Sequence, residues 1–279
     1  MLGLPDQVAA CLFDMDGVVT QTAVVHAAAW KETFDDFLRE HAKATGTQFV
    51  PFDSVADYDA YVDGKPRLDG TRSFLKARGI ELPEGTPDDP PGTQTIYGLS
   101  NQKNDLVLQK LAAGGVQVYQ GSITYIRAVR AKGIATAIVS SSKNTKQVLD
   151  SAGIADLFDF RMDGVVAAER KLPGKPAPDT YLAAGRELGF GPDRSAVFED
   201  ALAGVESGRA GHFAFVVGVD RVGQAAELRE HGADVVVKDL AELLDADADA
   251  GASAGAGAGA DAGAGKDAGA GAAGGAQQP

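Results

Sequence analysis

Residues 9–17 read Ala-Ala-Cys-Leu-Phe-Asp-Met-Asp-Gly, an apolar run that ends on two acids two positions apart. The run 9–13 has the length and apolar character of a buried strand. Asp14 and Asp16 follow directly, and Gly17 lets the chain turn sharply there. Two carboxylates held close at a strand's end repel each other unless they share a cation. One of them can act as a nucleophile and the other as a proton donor. Asp-rich turns are more often plain loops or helix caps, so this stretch needs support from the rest of the chain.

That support begins with the pattern of residues 118–244. Apolar runs recur at 134–139, 196–198, 213–219 and 235–237, with helix-like segments at 145–152, 178–188 and 224–231 between them. Strand, helix, strand with apolar strands predicts a parallel sheet covered on both faces, an α/β doubly wound core of the Rossmann type. Residues 22–115 break the pattern. Amphipathic segments around 26–40, 70–78 and 105–113 predict helices, and 83–92 is a loop rich in Pro, Gly and Asp. The expected organisation is a core of 1–21 and 116–244 with an α-helical cap, 22–115, inserted after the first strand. Ligands of open α/β sheets bind at the carboxyl ends of the strands, where such an insertion would sit as a lid.

Three further motifs fall at predicted strand ends or turns. Ser140-Ser141-Ser142-Lys143-Asn144 precedes a helix, and hydroxyls with free amides there make an anion site; an ordinary Ser cap is the plainer alternative. Gly174-Lys175-Pro176-Ala177-Pro178-Asp179 fixes an ammonium in a stiff turn. Val197-Phe198-Glu199-Asp200 places two more acids after an apolar run, oxygen donors that suit Mg²⁺ beside phosphate. Together with Asp14 and Asp16 these supply a nucleophile, an acid, phosphate-binding groups and a metal site, the components of phosphoryl transfer.

The bulk composition narrows the partners. The 279 residues carry a net charge of -13, and 44% are hydrophobic. So acidic a chain repels nucleic-acid backbones and anionic membranes, so neither is expected as a partner, whereas a small anionic substrate remains compatible with local cations. The one cysteine, Cys11, lies in an apolar run and reads as core. No basic segment leads into a long apolar one near the start, and a cytoplasmic location is expected. Residues 245–279 are almost all Ala, Gly and Asp and are expected to be a disordered, solvated tail.

In the order and combination of its four motifs, the chain resembles the haloacid dehalogenase-like phosphotransferase superfamily over about residues 9–244. Within it, the resemblance is to the β-phosphoglucomutases and their close sugar-phosphate phosphatase relatives. That narrower likeness rests on Asp14-Met-Asp-Gly-Val-Val-Thr-Gln-Thr-Ala, His26 and Trp30, Val62-Asp-Gly-Lys-Pro-Arg67, Lys103-Asn-Asp and 140–144. The resemblance implies that Asp14 is the phosphorylated nucleophile and Asp16 the general acid and base. It implies Mg²⁺ held by Asp14, the Asp16 carbonyl and Asp200, with Glu199 assisting. Ser140, Ser141 (through its backbone) and Lys175 would bind the transferring phosphoryl group. Arg67 would grip the substrate's other phosphate, Lys103 and Asn144 would line the sugar pocket, and Thr22 and His26 would lie near the hinge. The implied activity is isomerisation of β-glucose 1-phosphate to glucose 6-phosphate through a bisphosphate, with a sugar-phosphate phosphatase as the alternative and a monomer as the expected state. Taken alone, His26, Arg67 and Lys103 would read as surface groups and Trp30 as cap core. Residues 79–99 are longer than the resemblance leads one to expect.

Overall fold

The computed structural model describes residues 2–244; the expected tail, 245–279, lies outside them. Six parallel strands form one sheet in the order β3-β2-β1-β4-β5-β6. They are β1 (Ala10–Phe13), β2 (Ala135–Val139), β3 (Phe160–Met162), β4 (Ser195–Glu199), β5 (Phe215–Val219) and β6 (Val235–Val237). The α/β doubly wound core expected from the sequence is the fold observed.

Why these runs became strands is visible in their alternation. Cys11 and Phe13 of β1 join one buried cluster with Ile138, Ala196, Phe198, Val217 and Val219. Leu12 points the other way, into a second cluster with Ala137, Val139, Val197 and Val216. Successive side chains on a strand face opposite sides, so a sheet covered on both faces needs every position apolar. One face is covered by α4 (Gln120–Ala131) and α5 (Thr145–Ala152), which bring Ile126, Val129, Val148 and Leu149. The other is covered by α7 (Asp179–Glu187), α8 (Leu202–Ala210) and α9 (Ala225–Glu230), which bring Tyr181, Val205 and Leu228. The short α6 (Gly164–Glu169) begins after β3, where the Asp163 carboxylate accepts from Val165 and Val166 amides.

Between β1 and α4 the chain forms α1 (Ala23–Thr45), a π-helical turn (Tyr58–Val62), α2 (Arg67–Ala77) and α3 (Ile96–Gly114). These pack around their own cluster of Trp30, Phe34, Phe37, Phe52, Phe74 and Leu99. Phe34 is its centre, 5.0 Å from the Trp30 ring and 4.1 Å from that of Phe74. The chain leaves and re-enters the sheet side by side: Thr20 and Val118 form an antiparallel bridge, and Gln21 N donates to Gln117 O at 2.8 Å.

The sheet positions the chemistry through its order. β1 lies between β2 and β4, with Phe13 in register with Ile138 and with Phe198. The chain therefore switches direction across the sheet between β1 and β4, and such switch points open a crevice at the carboxyl ends of the strands. The loops that open there begin at Asp14, Ser140 and Asp200.

Candidate active site

The segment after β1 is wound tightly. Val19 N and Thr20 N both donate to Met15 O, and Gly17 N donates to Thr20 O at 2.8 Å. Gly17 has φ +88°, and a methyl group there would overlap the Asp200 carboxylate. No residue with a side chain fits that position, so glycine is what lets the two acidic loops meet.

Asp14, Glu199 and Asp200 are buried, and each presents a carboxylate oxygen within 4.8 Å of the others. Lys175 Nζ reaches into this group, 2.5 Å from Asp14 Oδ1 and 2.5 Å from Glu199 Oε1. It also donates to Val139 O at 3.3 Å. Tyr181 OH donates to Glu199 Oε1 at 2.8 Å. Burial alone would discharge the lysine, but Asp14 and Glu199 outweigh it and hold Lys175 protonated. Burial pushes the Asp14 carboxyl well up, opposed by Lys175 and reinforced by Glu199 and Asp16. Burial also pushes up Asp200, with Asp63, Asp14 and Glu199 adding to it. With all three carboxylates ionised, one ammonium leaves two negative charges uncompensated, which is why burial favours the protonated forms of Asp14 and Asp200. A divalent cation with oxygen preference restores that balance, so the residues present fit Mg²⁺.

Asp16 sits above this group, less buried. Its Oδ1 accepts a hydrogen bond from the Thr22 hydroxyl and lies 3.6 Å from His26 Nε2. The other ring nitrogen, His26 Nδ1, is 2.9 Å from Lys103 Nζ. An ammonium has only hydrogens to give, so Nδ1 accepts and Nε2 carries the ring proton that faces Asp16. Burial and then Lys103 push the His26 pKa down to about 4, which keeps the ring neutral. Lys103 is itself buried, stands 4.8 Å over the Trp30 ring, and is pushed down to about 7, chiefly by burial. Lys103 and His26 are thus not the surface groups that each would be if taken alone. Trp30 is both things at once: core of the helical cluster and a wall of the cleft.

Ser140 N donates to Met162 O, and Ser140 Oγ accepts from Ser142 N at 3.1 Å. Ser141 Oγ donates across to Gly64 O at 2.8 Å, and Asn144 Nδ2 donates to Asn104 Oδ1 at 3.1 Å. Both bonds join the sheet to the helical insertion. Gly174 allows the same closeness beside Lys175: a side chain there would run into the Pro66 ring.

These groups border one cleft of about 540 Å³. Asp14, Asp16, His26, Arg67, Lys103, Ser140, Ser141, Asn144 and Asp200 line it. Thr22, Lys175 and Glu199 stand behind that lining, each bonded to a residue of it. Burial lowers the Arg67 pKa, with Asp105 opposing it. Beside Tyr97 and Asn101 of α3, the long segment after α2 folds over one side and contributes Pro87. Asn101 Nδ2 holds it in place through Pro87 O at 3.1 Å and Asp89 O at 2.9 Å.

Sequence reasoning passed over Asp63, Arg221 and Gln224. Asp63 lies inside a quoted motif but was given no role; burial, and then Glu199, push it up to about 7. Arg221 Nε donates to Gly17 O and Gln224 Nε2 to Asp200 O. The available signal was position, since both follow the run that became β5.

Comparison with known proteins agrees with this fold. The model of the haloacid dehalogenase-like hydrolases matches residues 8–212. The beta-phosphoglucomutases of Mycobacterium bovis and Mycobacterium tuberculosis are each 57% identical over 247 residues, 88% of this chain and 94% of theirs. The crystal structure of beta-phosphoglucomutase from Clostridium difficile superposes with a TM-score of 0.65 at 24% identity, covering 85% of this chain and 93% of that one. The chain belongs to the haloacid dehalogenase-like hydrolase family.

Proposed function

We propose that the protein is a β-phosphoglucomutase, converting β-glucose 1-phosphate to glucose 6-phosphate through a glucose 1,6-bisphosphate intermediate. The observation that carries this reading is the 57% identity to mycobacterial beta-phosphoglucomutases over 88% of the chain. No observation favours the phosphatase alternative over it. Residues 22–115 are read as the cap and the remainder to 244 as the core.

The residue roles follow from chemistry and position. A carboxylate oxygen of Asp14 attacks the phosphorus of the bisphosphate, the bond from phosphorus to the sugar oxygen breaks, and Asp14 becomes an aspartyl-phosphate. Asp16 gives its proton to the departing oxygen. In the productive direction Asp16 takes the proton from the 6-hydroxyl of β-glucose 1-phosphate as that oxygen attacks the aspartyl-phosphate. The bisphosphate then turns end for end, Asp14 accepts the phosphoryl group from position 1, and glucose 6-phosphate leaves.

Lys175, with the Ser140 hydroxyl and the Ser141 amide, offsets the charge on the transferring group. Thr22 and His26 orient Asp16, each by its contact with Oδ1. Arg67 suits the phosphate that is not reacting, because its planar fork can bind two oxygens. Lys103 and Asn144, both in the cleft lining, would face the sugar. Mg²⁺, when held by Asp14, Asp200, Glu199 and the Asp16 carbonyl, neutralises the phosphoryl oxygens that these carboxylates would otherwise repel.

The test is direct. The enzyme is mixed with glucose 1,6-bisphosphate, quenched in acid, and digested for mass spectrometry. The peptide containing Asp14 should carry an acid-stable, base-labile phosphoryl group. Its absence, or its appearance on another residue, contradicts the assignment.

A further inference from the structure

Outside the four motifs, one loop reaches both acidic segments from behind. It follows β5 and spans 220–224. Asp220 shapes it: Oδ1 accepts from Gly223 N at 2.6 Å and from Gln224 N at 2.9 Å, and Asp220 N donates to Val237 O. A carboxylate that accepts from amides three and four residues on holds the loop from within.

From this loop Arg221 extends beneath the turn after β1. Its Nε donates to Gly17 O at 2.6 Å, its Nη2 to Val18 O at 3.4 Å, and its Nη1 to Lys238 O at 2.7 Å. The guanidinium lies 3.5 Å over the Tyr119 ring, whose own backbone amide donates to Val19 O. The only carboxylate pair recorded for it among the described residues is a loose one, Asp239 at 4.0 Å. Its donors are spent on backbone carbonyls instead. Gln224 Nε2 donates to Asp200 O at 3.0 Å. One loop therefore fixes a carbonyl in each of the two acidic segments.

We infer that Arg221 and Gln224 are positioning residues for the cation, holding the Gly17–Val18 peptide next to Asp16 and the Asp200–Ala201 peptide in a cation-ready arrangement. The inference rests on the mutase reading only for its metal. Gly17 is the reason a brace is needed. With φ +88° and no side chain, it has the conformational freedom that lets its flanking peptides rotate; Gly17 N ties the Asp16 side to Thr20 O, and Arg221 ties the Val18 side. A planar guanidinium with its other donors anchored at Lys238 O and its face on Tyr119 resists that rotation in a way that an ammonium on a flexible stem does not. Groups that orient ligands without touching the metal commonly change its affinity by 10–100-fold.

The experiment measures Mg²⁺ binding to the substrate-free enzyme by isothermal titration calorimetry, with melting temperature taken in the presence of a chelator. The variants are Arg221→Met, Arg221→Lys and Gln224→Leu. Arg221→Met should weaken Mg²⁺ binding at least about tenfold and Gln224→Leu a few-fold, with Arg221→Lys between Arg221→Met and the wild type. Mg²⁺ affinity equal to wild type in the variants, with only the chelator-state melting temperature lowered, would overturn the inference. Should Arg221→Met not fold, Gln224→Leu and Arg221→Lys carry the same test. Because the readout is binding, it stands apart from the mutase reading: an enzyme that never converts β-glucose 1-phosphate could still lose Mg²⁺ affinity in these variants.

Discussion

Lys175 Nζ stands 2.5 Å from Asp14 Oδ1, and both side chains are buried beneath the cleft. The same ammonium reaches Glu199 at the same distance. A single cation thus serves two carboxylates before any metal binds. Removing one partner of a buried pair leaves the other charge uncompensated, at a cost of about 3–5 kcal/mol. Lys175→Met should therefore unfold at clearly lower urea, with the loss partly restored by saturating Mg²⁺. Turnover should fall by roughly 10²–10³-fold, as when an oxyanion donor is removed. Urea titrations with and without Mg²⁺, beside kcat, check both; wild-type stability in chelator would show that the pair is not needed.

In the proposed roles, Arg67 in the cleft lining holds the phosphate that is not reacting. Its loss should reduce kcat/KM for β-glucose 1-phosphate by about 2–4 kcal/mol, the range for a desolvated charge-assisted contact. Slow hydrolysis of a small phosphate ester, which cannot span the cleft, should survive in Arg67→Ala. Equal loss of both activities would mean that Arg67 supports the fold of α2 and does not grip a phosphate.

Lys103 gives the cleft a pH dependence. Its folded pKa is lowered to about 7 from 10.5. It is an ammonium below about 7 and neutral above, so KM for an anionic sugar phosphate should rise as pH climbs through 7. In Lys103→Arg the cation persists and that rise should vanish. The same shift affects stability with a fixed sign: between about 7 and 10.5 the unfolded chain binds the extra proton, so this group makes the fold more stable as pH increases. A KM profile that is flat from pH 6 to 9 in the wild type would count against Lys103 facing substrate.

Ser141, after β2, and Gly64, in the helical insertion read as the cap, are joined by one hydroxyl-to-carbonyl bond of 2.8 Å. Ser141→Ala should cost about 1 kcal/mol of closure, seen as a several-fold lower kcat/KM. With the cap shut less often, water reaches the aspartyl-phosphate and the share of free phosphate among the products should increase. An unchanged product ratio would show that this bond does not govern closure.

Much of this site was legible because its parts sit where apolar runs end. The run 9–13 announced β1, and the acids and serines after β1, β2 and β4 lie side by side because those strands are neighbours. Lys175 was legible only as a cation in a stiff turn; that it lies within reach of Asp14 depends on packing 161 residues away in sequence. β3 was missed because Phe160-Arg161-Met162 is three residues with a charge in the middle, too short to show a period. α4, α6 and α8 were not singled out either, although the first is amphipathic. The helices of the insertion were found but trimmed. α3 begins at Ile96, well before the expected 105, because Thr95 caps it by accepting from Gly98 N. The brace at Arg221 left only its position after the run that became β5 as a mark, since its partners are backbone carbonyls, which no side-chain pattern reveals.

The central claim is that Asp14 carries the phosphoryl group between the two ends of glucose. It is tested by supplying β-glucose 1-phosphate, Mg²⁺ and catalytic glucose 1,6-bisphosphate, and following glucose 6-phosphate and free phosphate together in the wild type and in Asp14→Asn. The wild type should form glucose 6-phosphate with little free phosphate, and Asp14→Asn should form neither while keeping its fold. Rapid release of free phosphate without glucose 6-phosphate, or substantial turnover by Asp14→Asn, would contradict it.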